Sequence, residues 1–537
     1  MPRQQNTVPK APNILLLLSD EHSFRFLGSL PASEGGEAVS TPALDRLAAR
    51  SAVFTDAYCG SPLCVPSRMT MLTGRDVQRA GAWGNQSILD PALDTIPKLL
   101  ARAGYATCLV GKMHFQGRHQ FHGFQNRPYG DLVGNGSHQY EWAIPWAAGD
   151  RASAGEPVRV GDDLVARTRD DIGVSKIPES LTVDRIIAEE STAFLREQRA
   201  ARPDQPWFLC ASFSRPHFPF TAPPRHVARY HPDTISPPRI PAAGDSYEHP
   251  VSRAIRVGFQ VDRIDRAETM RARAAYFACV SYFDEVVGDL PAQLEASGLL
   301  DDTIIVYTSD HGEMAGEHGT WWKSTWNEAS TRVPLFVSLP EHRRGELPPR
   351  RISTPVSLLD LMPTLAAFAG APPPEAASGV DLTAAVRGTG DPPDRPIACD
   401  HLNARWGPGS EFRMLRWGRY KLVLFGDYDP LLFDLETDPG EQRNLFAADE
   451  RDVAAAREKL LAAARQNLDF EEVARVRAET NQRLKGLYGF DPGDSMPNQY
   501  LLRNGSIVDA DAPVYRPRVI SKPGDGLILD RPDADNP

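Results

Sequence analysis

The sequence predicts an α/β protein with a large, mostly parallel central sheet flanked by helices, followed by a smaller C-terminal α+β subdomain. Three observations predict it. Continuous apolar runs such as Asn13–Ser19 and Thr303–Thr308 do not alternate, as strands buried on both faces require. Helical periodicity separates such runs, which is the βα pattern of a parallel sheet. After about residue 390 the pattern changes to short apolar runs around turns, followed by an Ala-rich amphipathic stretch.

The elements follow in order. Asn13–Ser19 is a buried strand ending in Asp20-Glu21-His22. Thr41–Arg50 reads as a helix, with Thr41 as cap and Pro42 in the first turn. Ser67–Leu72 starts another helix after a Pro-containing turn, and Leu93–Ala103 is a helix stopped by Gly104. Ala106–Val110 is a strand running into Gly111-Lys112-Met113-His114. Residues 115–180, rich in Gly, His and aromatic side chains, read as long loops over a site. Pro206–Ser212 is a strand leading into Arg215-Pro216-His217, and Glu268–Ala296 is one long helix or two joined ones. Thr303–Thr308 ends in Ser309-Asp310-His311-Gly312. Phe412–Leu424 and Leu431–Leu435 are antiparallel strands, and Asp452–Gln466 is a helix. The expected division is a catalytic domain over 1–390, a subdomain over 391–486, and a Pro-, Asp- and Arg-rich tail over 487–537. There are no internal repeats.

A chain of 537 residues exceeds what one small core supports, since cores stop growing near roughly 250–300 residues. The formal net charge of -11 leaves no electrostatic footprint for nucleic acid. It also means that an anionic substrate must be drawn in by local cations. The apolar run Ile14–Leu18 is far too short to span a bilayer, and Met1–Lys10 has no apolar leader core. The six cysteines have neither zinc-site nor disulfide-scaffold spacing. The expectation is a cytoplasmic protein with reduced thiols and no membrane partner.

Two strands end in residues suited to metal ligation, Asp20-Glu21 and Asp310-His311. In open α/β sheets the site lies beyond the carboxyl ends of the strands. Oxygen donors with one imidazole suit Ca²⁺, Mg²⁺ or Mn²⁺. Each pair alone also reads as a solvated loop acid or helix cap. Cys64-Val65-Pro66-Ser67-Arg68 lies at a helix start, where a cysteine reads as a core thiol, a stabilised thiolate or part of an oxyanion site. Those alternatives stay open on the residues alone.

The stretch Cys64–Arg75 (CVPSRMTMLTGR) resembles the signature of type I sulfatases, whose Cys-x-Pro-x-Arg motif is converted to Cα-formylglycine by a maturation enzyme. NILLLLSD, TPALDRLAARSAVFTDAY, GYATCLVGKMH, RPHFPF, SDHGEMAGEHG, TRVPLF and FDLETDPGEQRNL resemble the family in the same order, so the likeness covers most of residues 11–470. It implies an alkaline-phosphatase-like fold. GKMHF, HGF and SPLC look most like choline sulfatases, with phosphonate monoester hydrolases as the other near relatives. The stretch after Phe124 departs from the choline-sulfatase pattern.

The resemblance implies that Asp20, Asp310, His311 and the formylglycine from Cys64 hold one divalent metal, Ca²⁺ foremost. Glu21, where many relatives carry Asp or Gln, is a further ligand. Arg68 and Lys112 hold the formylglycine and its oxygens. His114 is the base, His217 the leaving-group acid and Lys323 a sulfate clamp, while Asn85 contacts the sulfate. Taken singly, these histidines, lysines and Asn85 read as ordinary surface, core or turn residues. Hydrated formylglycine carries two hydroxyls: one attacks sulfur, and deprotonation of the other expels sulfate. Phe115, His122, Tyr129, Tyr140, Trp142 and Trp146 offer apolar or cation-binding walls, or pack the core. The tail resembles, in placement, tails that lock oligomers, so a homodimer or homotetramer is expected. The implied activity is sulfate-ester hydrolysis. A phosphonate monoester or phosphodiester hydrolase using the same site, and a non-catalytic binder on this fold, are the alternatives.

Overall fold

The computed structural model describes residues 11–117, 119–128, 130–131, 172–175, 178–242, 248–372, 376–466, 468–488, 499–501 and 507–509. The apolar run near the N-terminus forms strand β1 (Asn13–Asp20), whose residues are all buried. The large sheet also contains β2 (Ala52–Tyr58), β3 (Ala106–Gly111), β4 (Trp207–Pro216), β5 (Thr303–Ser309), β6 (Arg332–Ser338), β7 (Arg350–Ile352) and β8 (Val356–Ser357). β1 lies between β4 and β5 and is parallel to both, and β3 extends the parallel set beyond β4. Among the described strands of this sheet, β6 alone runs against its neighbours, β5 and β2. A central strand parallel to both neighbours must be covered on each face, which is why Ile14–Leu18 is apolar throughout.

Helices cover those faces: α1 (Pro42–Ala48), α2 (Cys64–Thr73), α3 (Ile96–Arg102), α4 (Val183–Ala201), α5 (Arg266–Ala296) and α6 (Leu361–Phe368). The stretch over 268–296 is one helix, opened by a reciprocal capping box between Asp265 and Glu268. α2 begins at Cys64, one turn before the expected Ser67. Thr41 does not cap α1 with its side chain. Its hydroxyl donates to Asp45 at 2.9 Å and accepts from the Gly28 amide at 2.7 Å. Asp284 of α5 caps α1 instead, accepting from Ala43 and Leu44 at 3.0 and 2.8 Å.

The C-terminal region carries an antiparallel sheet of β9 (Ile397–His401), β10 (Phe412–Trp417), β11 (Tyr420–Phe425) and β12 (Leu431–Asp434). α7 (Arg451–Arg465) packs on it through Leu460 and Ala464 against Leu415, Leu422 and Leu432. α8 (Phe470–Tyr488) follows, with Val473 against Val77, Trp83 and Leu402. Among the described residues, no helix is long and apolar enough to cross a membrane.

Candidate active site

The ends of β1, β3, β4 and β5 lie side by side, because parallel strands deliver their carboxyl ends to one edge. Register places Asp20 at the end of β1 opposite Pro216 of β4, with an irregularity after Leu18 that turns the acid out of the sheet pattern. β5 ends at Ser309 and delivers Asp310 and His311. Asp20, Cys64, Asp310 and His311 form one buried cluster whose donor atoms all lie within 4.8 Å of one another.

Cys64 opens α2, where Leu63 in the cap position has no side-chain acceptor. Asn85 supplies one: its Oδ1 accepts from the Val65 amide at 3.1 Å. The Cys64 Sγ, which stands where oxygens of a converted residue would lie, is 3.1 Å from His311 Nε2. His311 Nδ1 is 3.0 Å from the Gly312 carbonyl, an acceptor only, so Nδ1 carries the hydrogen and Nε2 presents its lone pair to the cluster. Burial pushes the Cys64 thiol pKa up, against the pull of Lys323 and Lys112, so the free thiol stays neutral.

Arg68, on the same helix and buried, gathers the strand ends. It donates to Asp310 at 2.8 Å, to the Lys112 carbonyl at 2.6 Å and to Ser212 Oγ at 2.9 Å, and lies 3.3 Å from Asp20. Lys112, just past β3, pairs with Asp20. Burial raises the Asp310 pKa, but Arg68, His311 and Lys112 outweigh it and bring it down to about 2.

A second group adjoins the first. Lys323 Nζ is 3.0 Å from Glu21 Oε2 and 2.9 Å from His217 Nε2, and His217 is 3.3 Å from Glu21. His217 Nδ1 faces the Phe218 carbonyl at 2.7 Å, which directs Nε2 toward Lys323. Glu21 therefore meets Lys323 and His217 and groups with Asp20 and His217, rather than with Cys64, Asp310 and His311. Burial raises its pKa well above the carboxylate range, despite Lys323. His114 follows two residues after Lys112, with a buried ring.

Glu21, His114, Trp322 and Ser324 have φ of 66°, 60°, 64° and 67°, a conformation that non-glycine residues rarely adopt. Strain of this kind persists only where surroundings over-determine the backbone, and it gathers at functional sites. Two contributors were not singled out from sequence. Ser212 receives Arg68, and Glu313 accepts from Ala315 and Trp322 at 2.7 Å each. Ser212 sits at the end of a predicted strand and Glu313 within SDHGE, so strand-end position was the available signal. Phe115 and His122 are buried against each other, with centroids 4.5 Å apart. Tyr129, Tyr140, Trp142 and Trp146 lie outside the described residues.

The donor set fits a hard divalent cation. Asp20 Oδ1 is buried with no hydrogen-bond partner among the described residues, an acceptor that a bound cation would satisfy.

The profile described as Sulfatase matches residues 12–371. The chain belongs to the sulfatase family. It is accordingly a sulfuric ester hydrolase. A second profile, N-sulphoglucosamine sulphohydrolase, C-terminal, matches residues 316–467. This sulfatase is 33% identical over 448 residues to the choline-sulfatase of Rhizobium meliloti (strain 1021), covering 81% of this chain and 82% of that protein. It is 29% identical over 460 residues to an arylsulfatase of Clostridium perfringens, covering 82% and 91%. In fold it is similar to the phosphonate monoester hydrolase of Agrobacterium radiobacter, with a TM-score of 0.65 at 24% identity over 93% of this chain and 99% of that one.

Proposed function

We propose that this sulfatase cleaves sulfate esters with a formylglycine made from Cys64, beside one divalent cation, Ca²⁺, held by Asp20, Asp310 and His311, with Glu21 at the edge of the set. The observation that carries this reading is the buried cluster that joins Cys64 to those ligands. When present, the cation supplies Lewis acidity, and the formylglycine supplies a hydrated aldehyde with two hydroxyls on one carbon.

The chain's own groups do the rest. Lys112 and Arg68 hold the oxygens on residue 64, and Arg68 fixes both to the strand ends. Lys323 clamps an oxygen of the ester, and Asn85 holds the start of α2 while its amide faces the sulfate. Donors set in advance around a developing charge are commonly the largest catalytic contribution. His217, once Nε2 is protonated, is the acid for the departing alkoxide or phenoxide, and His114 takes the proton whose loss releases sulfate. Histidine suits both transfers near neutral pH.

The same reading assigns a formylglycine-generating maturation enzyme as partner, a cytoplasmic location and a homodimer or homotetramer. The spacing of the six cysteines, which is not that of a disulfide scaffold, supports a reducing compartment. It treats residues 1–390 as catalytic domain, 391–486 as subdomain and 487–537 as tail. Light scattering tests the oligomer.

The deciding experiment compares kcat/KM for an aryl sulfate and an aryl phosphonate monoester, using protein whose Cys64 peptide mass shows conversion. Preference for the sulfate supports the reading. Preference for the phosphonate overturns the substrate class and leaves the residue roles in place. A Cys64→Ala protein with unchanged turnover would sink the formylglycine.

A further inference from the structure

Lys323 rides on an irregular segment, residues 321–327, that leads into a short helix at Glu328–Thr331. The residues on either side of it, Trp322 and Ser324, both have positive φ. Strain of this kind persists only where the surroundings over-determine the backbone, so the segment needs outside support to keep its shape. One end is tied to the catalytic side. Trp322 donates its amide to Glu313 at 2.7 Å. Ser324 donates its amide to the Pro62 carbonyl at 2.9 Å, which joins the segment to the turn just before Cys64. The other end is tied to the antiparallel sheet. Trp326 lies edge-on between Phe412 of β10 and Phe425 of β11, with centroids 5.7 and 5.1 Å away.

The strongest tie is ionic. Lys421 of β11 is fully buried, with its Nζ 2.9 Å from Glu328 Oε1 and 2.8 Å from Glu441 Oε1. Glu441 in turn accepts the Glu328 amide at 2.7 Å through its other oxygen. One ammonium thus holds two buried carboxylates together and fixes the first residue of the short helix. Without it the two carboxylates repel across a site that water cannot screen, with Tyr58 and Arg332 left to hold Glu328, and the hydrogen bond from the Glu328 amide to Glu441 is weakened.

We propose that Lys421 is a positioning residue for Lys323: with Glu441 it anchors, through Glu328, the far end of the segment that carries Lys323 to Glu21 and His217. The inference rests on the role given to Lys323 above. Lys421 touches neither substrate nor cation and acts by setting where another lysine stands.

A double-mutant cycle tests it on converted, metal-supplied enzyme, reading kcat, KM and the inhibition constant of inorganic sulfate. Lys421→Met is expected to lower kcat/KM by about tenfold or more and to weaken sulfate inhibition, with partial rescue in Lys421→Arg. In the Lys323→Ala background, Lys421→Met is expected to add little, because its effect runs through the group already removed. Losses that multiply, or a Lys421→Met enzyme with parental kcat/KM and sulfate inhibition, overturn the proposal. Lys323→Ala at parental activity refutes the role of Lys323 itself, which is a separate failure. If Lys421→Met does not fold, Glu441→Gln, which keeps the shape and weakens the tie, carries the same cycle and the same criteria.

Discussion

Replacing Arg68 with lysine keeps the charge and removes the fork, so it isolates geometry. The guanidinium reaches Asp310, the Lys112 carbonyl and Ser212 Oγ at 2.8, 2.6 and 2.9 Å, just past β5, just past β3 and within β4. One ammonium cannot span those directions. If it follows Asp310, the Lys112 carbonyl and the Ser212 hydroxyl are left buried without their donor. Each stranded group costs about 1–3 kcal/mol, so Arg68→Lys is expected to lose about 2–6 kcal/mol of stability. Urea unfolding in chelator, followed by tryptophan fluorescence, measures this without stabilisation by bound cation. Lys112 is displaced as well, so kcat/KM is expected to fall about 10²–10³-fold, as for loss of one preset donor. A variant within about 0.5 kcal/mol of the parent, the range of a surface change, and within about threefold in kcat/KM would refute the reasoning.

Three further outcomes are expected. Arg413 and Asp400 form a buried pair with contacts of 2.8 and 2.6 Å, so Arg413→Met should lose about 3–5 kcal/mol in urea unfolding, and adding Asp400→Asn should recover most of it. Burial lowers the pKa of both His122 and His401 to about 3. The unfolded chain protonates them near 6.5 while the folded chain does not, so stability falls as pH drops from about 6.5 toward 3. Each should contribute a loss of roughly 2 kcal/mol by pH 4.5, and His401→Gln should flatten the unfolding profile over that window. Chelation should lower the unfolding temperature, and Ca²⁺ at about 1,000 times its Kd should restore about 4 kcal/mol, whereas Asp310→Asn should remove most of the response.

The strands of the parallel core and the residues at their ends were legible in the sequence. A strand buried on both faces needs a continuous apolar run, and the site of such a sheet lies where the run stops, which is why Asp20 and Asp310 could be read from position, whereas Lys112 came from the family resemblance. The signature around Cys64 carried the resemblance that makes it the proposed nucleophile, because its residues are contiguous.

Tertiary structure alone decided which groups meet. The cap of α1 comes from Asp284 on α5, not from Thr41, because a carboxylate on a packed helix can reach two amides that the neighbouring hydroxyl does not. Asn85 caps α2 from a separate loop, and Glu21 turns to Lys323 and His217 because its backbone takes a left-handed conformation. The anchor from Lys421 to Glu328 joins residues 93 positions apart. Local periodicity records only which face of an element is covered. It carries no record of which distant charge will be buried beside it, and that choice follows from desolvation, which requires each buried charge to find a partner wherever the fold supplies one.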